Sequence, residues 1–172
     1  MHYRTFVIAN PTAAAGAVRR EWDYIERLLR TRLPEMDAAF TEGPGHATLL
    51  ARQALRAGWE MVVCVGGDGT VNEVLNGFFE PPDGEASYRR RDGWLEPTTE
   101  GRTPQPINKD AVLGLVPLGT GGDFRRTIGL MGGLRESIEH LMGKNSRPVD
   151  IGEVACIGDK GEVTARYFLN IA

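Results

Sequence analysis

The sequence has few of the residues that cross-link small folds or bind metal ions. Its 172 residues include two cysteines and three histidines. Cys64 and Cys156 are too few and too far apart in sequence for a zinc site or a disulfide framework, and the histidines lack metal-ligand spacing. A chain of this length buries roughly two-thirds of its unfolded surface, so it needs no such cross-link. A reducing compartment is the expected setting.

Long hydrophobic runs and an excess of positive charge are also missing. No apolar stretch approaches the roughly 18 residues of a membrane-spanning helix, and the run at residues 6–9 is too short for a signal-peptide core. We therefore expect a cytoplasmic protein, with any membrane contact peripheral at the inner surface. The 20 basic and 23 acidic residues give a net charge of -3, which provides no electrostatic basis for binding nucleic acid.

Several common catalytic and nucleotide-binding motifs are absent. The sequence contains no Walker loop, no G-x-G-x-x-G fingerprint and no G-x-S-x-G nucleophile elbow. These absences argue against the P-loop, dinucleotide-binding and α/β-hydrolase classes.

Short apolar runs alternate with segments of helical periodicity. Residues 61–65 form a five-residue apolar run without alternation, as expected for a strand covered on both faces. Val18, Trp22, Ile25 and Leu29 form one stripe of a helix. The pattern predicts an α/β domain with a mainly parallel sheet. Predicted strands lie at residues 5–9, 38–41, 61–65, 112–116, 149–155 and 164–171, with helices near residues 18–33, 46–57, 71–78, 123–128 and 134–142.

Residues 80–110 interrupt this alternation. They include five prolines and the run Arg89-Arg90-Arg91. We interpret the segment as an irregular insertion whose basic run is a solvated loop. A membrane-surface contact by the same run is the alternative.

A glycine-rich loop, Gly66-Gly67-Asp68-Gly69-Thr70, joins a predicted strand to a helix. Glycines let the backbone approach a ligand closely, and the N–H groups at a helix start attract anions such as phosphate. Asp68 would repel a phosphate directly, so its presence points to Mg²⁺ or a water shell between them. The alternative is a structural turn in which Thr70 and Glu73 form a capping box.

A second loop, Gly119-Thr120-Gly121-Gly122-Asp123, also follows a predicted strand. In a parallel sheet both loops lie at the carboxyl edge, where ligands bind. Thr120 could donate to a phosphate or a ribose hydroxyl, whereas Asp123 reads equally well as a helix N-cap. Asn10 and Thr41 end the first two strands at the same edge, although Asn10-Pro11 is equally consistent with a plain turn.

These motifs together resemble the diacylglycerol kinase catalytic family, which includes bacterial lipid kinases and sphingosine kinases. The resemblance rests on GGDGTVNEVLNG at residues 66–77, LGLVPLGTGGDFRRTIG at residues 113–129, Asn10-Pro11 with Gly16, and residues 41–47. It implies a three-layer α/β domain of the phosphofructokinase and NAD kinase type at residues 1–147. Residues 148–172, which begin with Pro148-Val149-Asp150-Ile151-Gly152, would start a second, all-β domain.

The resemblance also implies a site for ATP and Mg²⁺. Asp68 and Asp123 match acidic positions linked to Mg²⁺ through water, and they are the candidate catalytic residues. Gly122 departs from the family, which usually has Asn there. The candidate nucleotide-binding residues are Asn10, Thr41, Gly66, Gly67, Asp68, Gly69, Thr70, Val71, Asn72, Glu73 and Thr120.

The implied function is that of the ATP-binding half of a lipid kinase. Such an enzyme transfers the γ-phosphoryl group of ATP to the hydroxyl of a lipid such as diacylglycerol at a membrane surface. Family members continue through a β-sandwich domain that supplies the general base, so we expect this chain alone to bind nucleotide weakly if at all and not to phosphorylate lipid. The alternatives are an NAD kinase-like enzyme and a non-catalytic nucleotide-sensing module.

Overall fold

A computed structural model describes residues 3–81, 88–92, 94–97, 104–119, 122–142 and 146–169. A four-stranded, wholly parallel sheet with strand order β2-β1-β3-β6 lies at its centre, which confirms the predicted α/β class. The elements in chain order are β1 (Thr5–Ala9), α1 (Ala13–Arg20), α2 (Trp22–Arg32), β2 (Met36–Phe40), α3 (His46–Arg56), β3 (Met61–Gly66), α4 (Asp68–Gly77), β4 (Tyr88–Arg91), β5 (Trp94–Pro97), β6 (Val112–Pro117), α5 (Asp123–Thr127), α6 (Leu134–Glu139), β7 (Gly152–Ile157) and β8 (Val163–Phe168).

Helices cover both faces of the sheet. Every residue of β3 is buried, which explains why its sequence shows no polar alternation. Successive β3 side chains point to opposite faces: Val63 and Val65 pack with α2 and α6, whereas Val62 and Cys64 pack with α3 and α4. Two apolar clusters, one on each side, therefore give the three layers expected of this fold.

The helix predicted around Val18 is divided into α1 and α2 near Glu21. The first turn of α1 has a left-handed backbone, with φ of 51° at Ala14, 53° at Ala15 and 80° at Gly16. Alanine adopts this conformation at a cost of roughly 1–2 kcal/mol, whereas glycine adopts it freely. Nothing in an alanine-rich sequence signals such a turn, so the prediction missed it.

Replacing the exposed Ala15 by glycine should therefore stabilise the fold by about 0.5–1 kcal/mol. Ala17→Gly is the matched control, because Ala17 has right-handed helical backbone. There the same change should destabilise by about 0.5–1 kcal/mol. Chemical denaturation of the two variants measures both effects, and equal signs would contradict the assigned backbone conformation.

The prediction that residues 80–110 are irregular is wrong for part of that segment. Strands β4 and β5 form an antiparallel hairpin in which Arg91 pairs with Trp94. Asp92, between them, has a positive φ of 50°, and Asp92-Gly93 is the dipeptide that two-residue hairpin loops prefer. The same dipeptide is also typical of turns in irregular loops, so the sequence alone does not predict this hairpin.

A second antiparallel pair, β7 with β8, lies outside the central sheet. The Tyr88 hydroxyl of the hairpin donates to the Glu153 carboxylate of β7. Burial and that carboxylate raise the pKa of Tyr88 to about 12, so the tyrosine stays protonated. Across the described ranges, none of the helices is long and apolar enough to cross a bilayer.

Candidate active site

The ends of the four parallel strands meet at one edge of the sheet. The ladder continues one residue beyond the strands, because Thr41 N–H donates to Ala9 C=O and Asn10 N–H donates to Val65 C=O, each at 2.9 Å. Leu118 N–H donates in the same way to Gly66 C=O at 2.9 Å. The polar strand ends predicted from the sequence are therefore adjacent in space.

The first glycine loop is a tight passage from β3 into α4. Gly67 is the N-cap residue, with an extended backbone, and its C=O accepts from Val71 N–H at 3.0 Å to close the first turn. The capping-box alternative for Thr70 and Glu73 is wrong, because the helix begins two residues before Thr70. Glu73 instead accepts a hydrogen bond from Ala47 N–H at 3.3 Å.

Asn10 supports this loop from the neighbouring strand. Its Nδ2 donates to Thr70 Oγ1 at 3.0 Å. Its Oδ1 accepts from the N–H and the hydroxyl of Thr12, at 3.0 and 2.8 Å, so the Asn-Pro turn is also real. The turn at Asn10 is confirmed, and the same residue orients the glycine loop through Thr70. Its contact with a nucleotide stays a prediction.

The two glycine loops touch each other. A Cβ added to Gly119 would lie 2.8 Å from the Cα of Gly67, closer than real Cβ atoms come. Asp68 joins the loops by hydrogen bonds, since its Oδ2 accepts from the N–H groups of Gly122 and Asp123 at 3.2 Å each. Asp68 therefore fixes the second loop as well as starting α4.

Gly122 has a left-handed backbone, with φ of 80°. Gly and Asn are the residues that tolerate this conformation best, so the Asn expected here from the family resemblance would be compatible with the same backbone. Compared with Asn, Gly122 lacks a side-chain amide but keeps the backbone N–H that donates to Asp68.

Asp123 is the first residue of α5, and its cap comes from Asp68 rather than from its own side chain. Its carboxylate accepts from the Arg126 guanidinium one turn later, and the side chain is 56% exposed. The N-cap interpretation of Asp123 is therefore wrong. Thr120, the remaining candidate of this loop, lies outside the described residues.

Two other candidates on α4 direct their side chains away from the loop, since Glu73 accepts from the start of α3 and Asn72 Oδ1 accepts from Leu169 N–H at 3.1 Å. Val71 is buried, and it lies against the space between the two loops. Asn76, which sequence reasoning missed, makes three hydrogen bonds on the same side of α4 as Asn72. The sequence does indicate this residue in one way, because Asn72 and Asn76 are four positions apart and therefore lie on the same side of a helix.

A crevice of about 10 Å³ lies between the loops, roughly the room of one water molecule. Gly66, Gly67 and Gly119 line it with backbone, while Asp68 and Arg125 supply charge of opposite sign. Cys64 lies against the same crevice, where burial, with a smaller contribution from the Glu73 charge, raises the pKa of its thiol. The thiol therefore remains protonated and packs as an apolar group.

The residues fit a hydrated Mg²⁺ better than an enclosed metal site. Among the residues with described positions, no group of three or more His, Cys, Asp or Glu side chains is arranged to hold a metal ion. Mg²⁺ commonly keeps several waters and uses one or two carboxylates together with substrate phosphates. Asp68 accepts from the backbone N–H of Asp123, whereas the Asp123 carboxylate pairs with Arg126, so a Mg²⁺ site on these two carboxylates stays a prediction.

Comparison with known proteins is consistent with this geometry. The family model described as diacylglycerol kinase catalytic domain matches residues 4–154. A diacylglycerol kinase of Staphylococcus carnosus (strain TM300) is 28% identical over the whole chain, which covers 45% of that relative. One from Staphylococcus haemolyticus (strain JCSC1435) is 29% identical over 96% of the chain and 40% of its own length. The chain thus spans less than half the length of these relatives.

Solved structures show the same fold. A crystal structure of a diacylglycerol kinase from Bacillus anthracis str. Sterne superposes with a TM-score of 0.63 at 22% identity, covering 94% of this chain and 45% of the other. The likeness confirms the three-layer architecture expected from the sequence.

Proposed function

Because the chain belongs to the diacylglycerol kinase catalytic domain family, we propose that it forms the ATP-binding part of a lipid kinase. The observation that carries this proposal is the contact between the two glycine loops. The loops approach until Gly119 leaves no room for a Cβ beside Gly67, and Asp68 bonds them together. The family supports kinase activity, and the assignment of ATP to these loops is our inference from the geometry.

The loops offer the ATP phosphates backbone N–H groups at the start of α4, a helix of ten residues. The N-terminal end of a helix attracts anions through its free N–H groups and its dipole. Arg125, beside Gly122, adds a positive charge at the crevice between the two loops. Asp68 and Asp123 would hold Mg²⁺ through water, and the bound ion would neutralise charge on the phosphates.

The transfer itself joins the lipid hydroxyl oxygen to the γ-phosphorus while the bond to the β-phosphate oxygen breaks. The hydroxyl proton passes to a general base. We assign this step to the whole protein, since the chain covers 45% of the length of its Staphylococcus carnosus relative. The contribution proposed for this chain is to hold ATP and orient its γ-phosphate at the sheet edge.

Calorimetric titration of the chain with ATP in the presence and absence of Mg²⁺ tests the proposal. We expect Mg²⁺-dependent ATP binding without phosphorylation of diacylglycerol by the chain alone. NAD⁺ serves as the comparison ligand, and its phosphorylation would favour an NAD kinase-like enzyme instead. Absence of any nucleotide binding would overturn the assignment of the loops.

A further inference from the structure

Two asparagines on α4 hold the edge of strand β8. Asn76 Oδ1 accepts from Tyr167 N–H at 3.0 Å, and its Nδ2 donates to Tyr167 C=O at 2.8 Å. Asn72 Oδ1 accepts from Leu169 N–H at 3.1 Å. Asn76 Nδ2 also donates to Asn72 C=O at 2.7 Å, which uses both of its hydrogens. We call this pair of side chains the amide clamp.

The spacing of the amide clamp matches the spacing of the strand. Four residues of helix rise about 6 Å, and two residues of extended chain about 6.6 Å, so the asparagines meet Tyr167 of β8 and Leu169 just beyond its end. Asn76 both accepts from and donates to Tyr167, as the backbone of an adjacent strand would. β8 pairs with β7 along its other edge, so α4 takes the place of a further strand.

Apolar packing partly buries these hydrogen bonds. Tyr167 is 5% exposed and its ring centroid lies 5.0 Å from that of Phe79, just beyond α4. Leu169 packs against the apolar cluster that contains Val71 and Val74. Buried hydrogen-bonding groups are costly to leave unpaired, so the amide clamp fixes the register of β8 on the helix.

The amide clamp shares one stripe of α4 with Asp68, because positions 68, 72 and 76 follow each other at intervals of four. At the start of the stripe, Asp68 bonds to Gly122 and Asp123 of the second loop. One side of a short, rigid helix thus carries both the clamp and the carboxylate that joins the glycine loops.

We propose that Asn72 and Asn76 are positioning residues that seat α4 against β8 and thereby hold Asp68 and the glycine loops in the geometry that binds nucleotide. This inference rests on the proposed function wherever it is tested by nucleotide binding. It also gives the β7–β8 pair a role in the site, because this pair of strands would support the helix that carries Asp68.

The test compares Asn72→Ala and Asn76→Ala with Asn108→Ala. Asn108 Oδ1 also accepts from a backbone N–H, that of Asp110 at 3.1 Å, but it lies in the turn before β6, so Asn108→Ala should bind Mg²⁺·ATP as the unchanged chain does. Each alanine variant of the amide clamp should weaken Mg²⁺·ATP binding about tenfold, the equivalent of one or two partly buried hydrogen bonds. Titration calorimetry gives the affinities, and circular dichroism verifies folding.

Amide hydrogen exchange supplies a readout that does not depend on nucleotide. In Asn72→Ala we expect faster exchange at Leu169, and also at Gly122 and Asp123, whose N–H groups bond to Asp68. Unchanged protection at Gly122 and Asp123 would show that the amide clamp stabilises β8 only, and would overturn the inference even if Leu169 exchanges faster. If the unchanged chain binds no nucleotide, the proposed function fails, and exchange at these two amides still decides the inference.

Discussion

Under the proposed function, Asp68→Ala is expected to reduce Mg²⁺-dependent phosphoryl transfer, in the lipid kinase to which we assign this chain, by roughly 10²–10³-fold, the scale seen when one preorganised electrostatic group is removed. The substitution removes two functions at once. It deletes the acceptor that fixes Gly122 and Asp123, and it deletes a negative charge at the start of α4, where we place the phosphates. Alanine alone therefore does not tell the two functions apart.

Asp68→Asn separates them. Asparagine keeps one acceptor oxygen for the two N–H groups but carries no charge. We expect its second loop to retain protection against hydrogen exchange while transfer falls nearly as far as in Asp68→Ala. Steady-state rates measured across Mg²⁺ concentrations provide the test, and Asp37→Asn, an exposed carboxylate on β2, is the matched control. Full activity in Asp68→Asn would show that the Mg²⁺ assignment is wrong.

The sheet and the position of its functional edge could be predicted because buried parallel strands leave a strong sequence signal. The apolar run at residues 61–65 lies within β3, which extends one residue further, to Gly66. Once the strands are parallel, topology alone brings the residues after β1, β2, β3 and β6 to one edge. The adjacency of Asn10, Thr41 and the two glycine loops follows from that rule.

The contacts between side chains could not be predicted in the same way. Asp68 bonds to residues 54 and 55 positions away, and Asn76 to one 91 positions away. Such pairings depend on the packing of α4, which its local sequence does not specify. The left-handed turn at Ala14 and Ala15 was missed for another reason, because its residue type normally favours the right-handed helix.

Two glycines of α4 should respond in opposite ways to the same substitution. Gly69 and Gly77 both lie within the helix, where alanine is intrinsically favoured by roughly 0.5–1 kcal/mol. Their surroundings differ completely. Beyond the adjacent residues and the backbone of α4 itself, no heavy atom lies within 4 Å of a Cβ added to Gly69, whereas one added to Gly77 would meet Ala51 Cβ at 2.5 Å and Thr48 C=O at 2.6 Å.

Gly77→Ala should therefore destabilise the fold. The added methyl group forces α3 and α4 apart at a buried crossing, where overpacking costs typically about 1–3 kcal/mol and outweighs the gain in helix propensity. For a chain of this size, each kcal/mol lowers Tm by roughly 2–4 °C. Thermal unfolding measures the loss, and an unchanged Tm would contradict the close contact between α3 and α4.

Gly69→Ala should leave Tm unchanged or raise it, because its methyl group meets no protein atom. The same methyl group occupies the space beside Asp68 where we place the ATP phosphates, so Mg²⁺·ATP affinity should fall at least about tenfold. Loss of binding in a fully stable variant would locate the phosphates at this turn of the loop. If Gly69→Ala binds ATP as the unchanged chain does, the phosphates lie elsewhere along the edge, and glycine at position 69 serves the backbone alone.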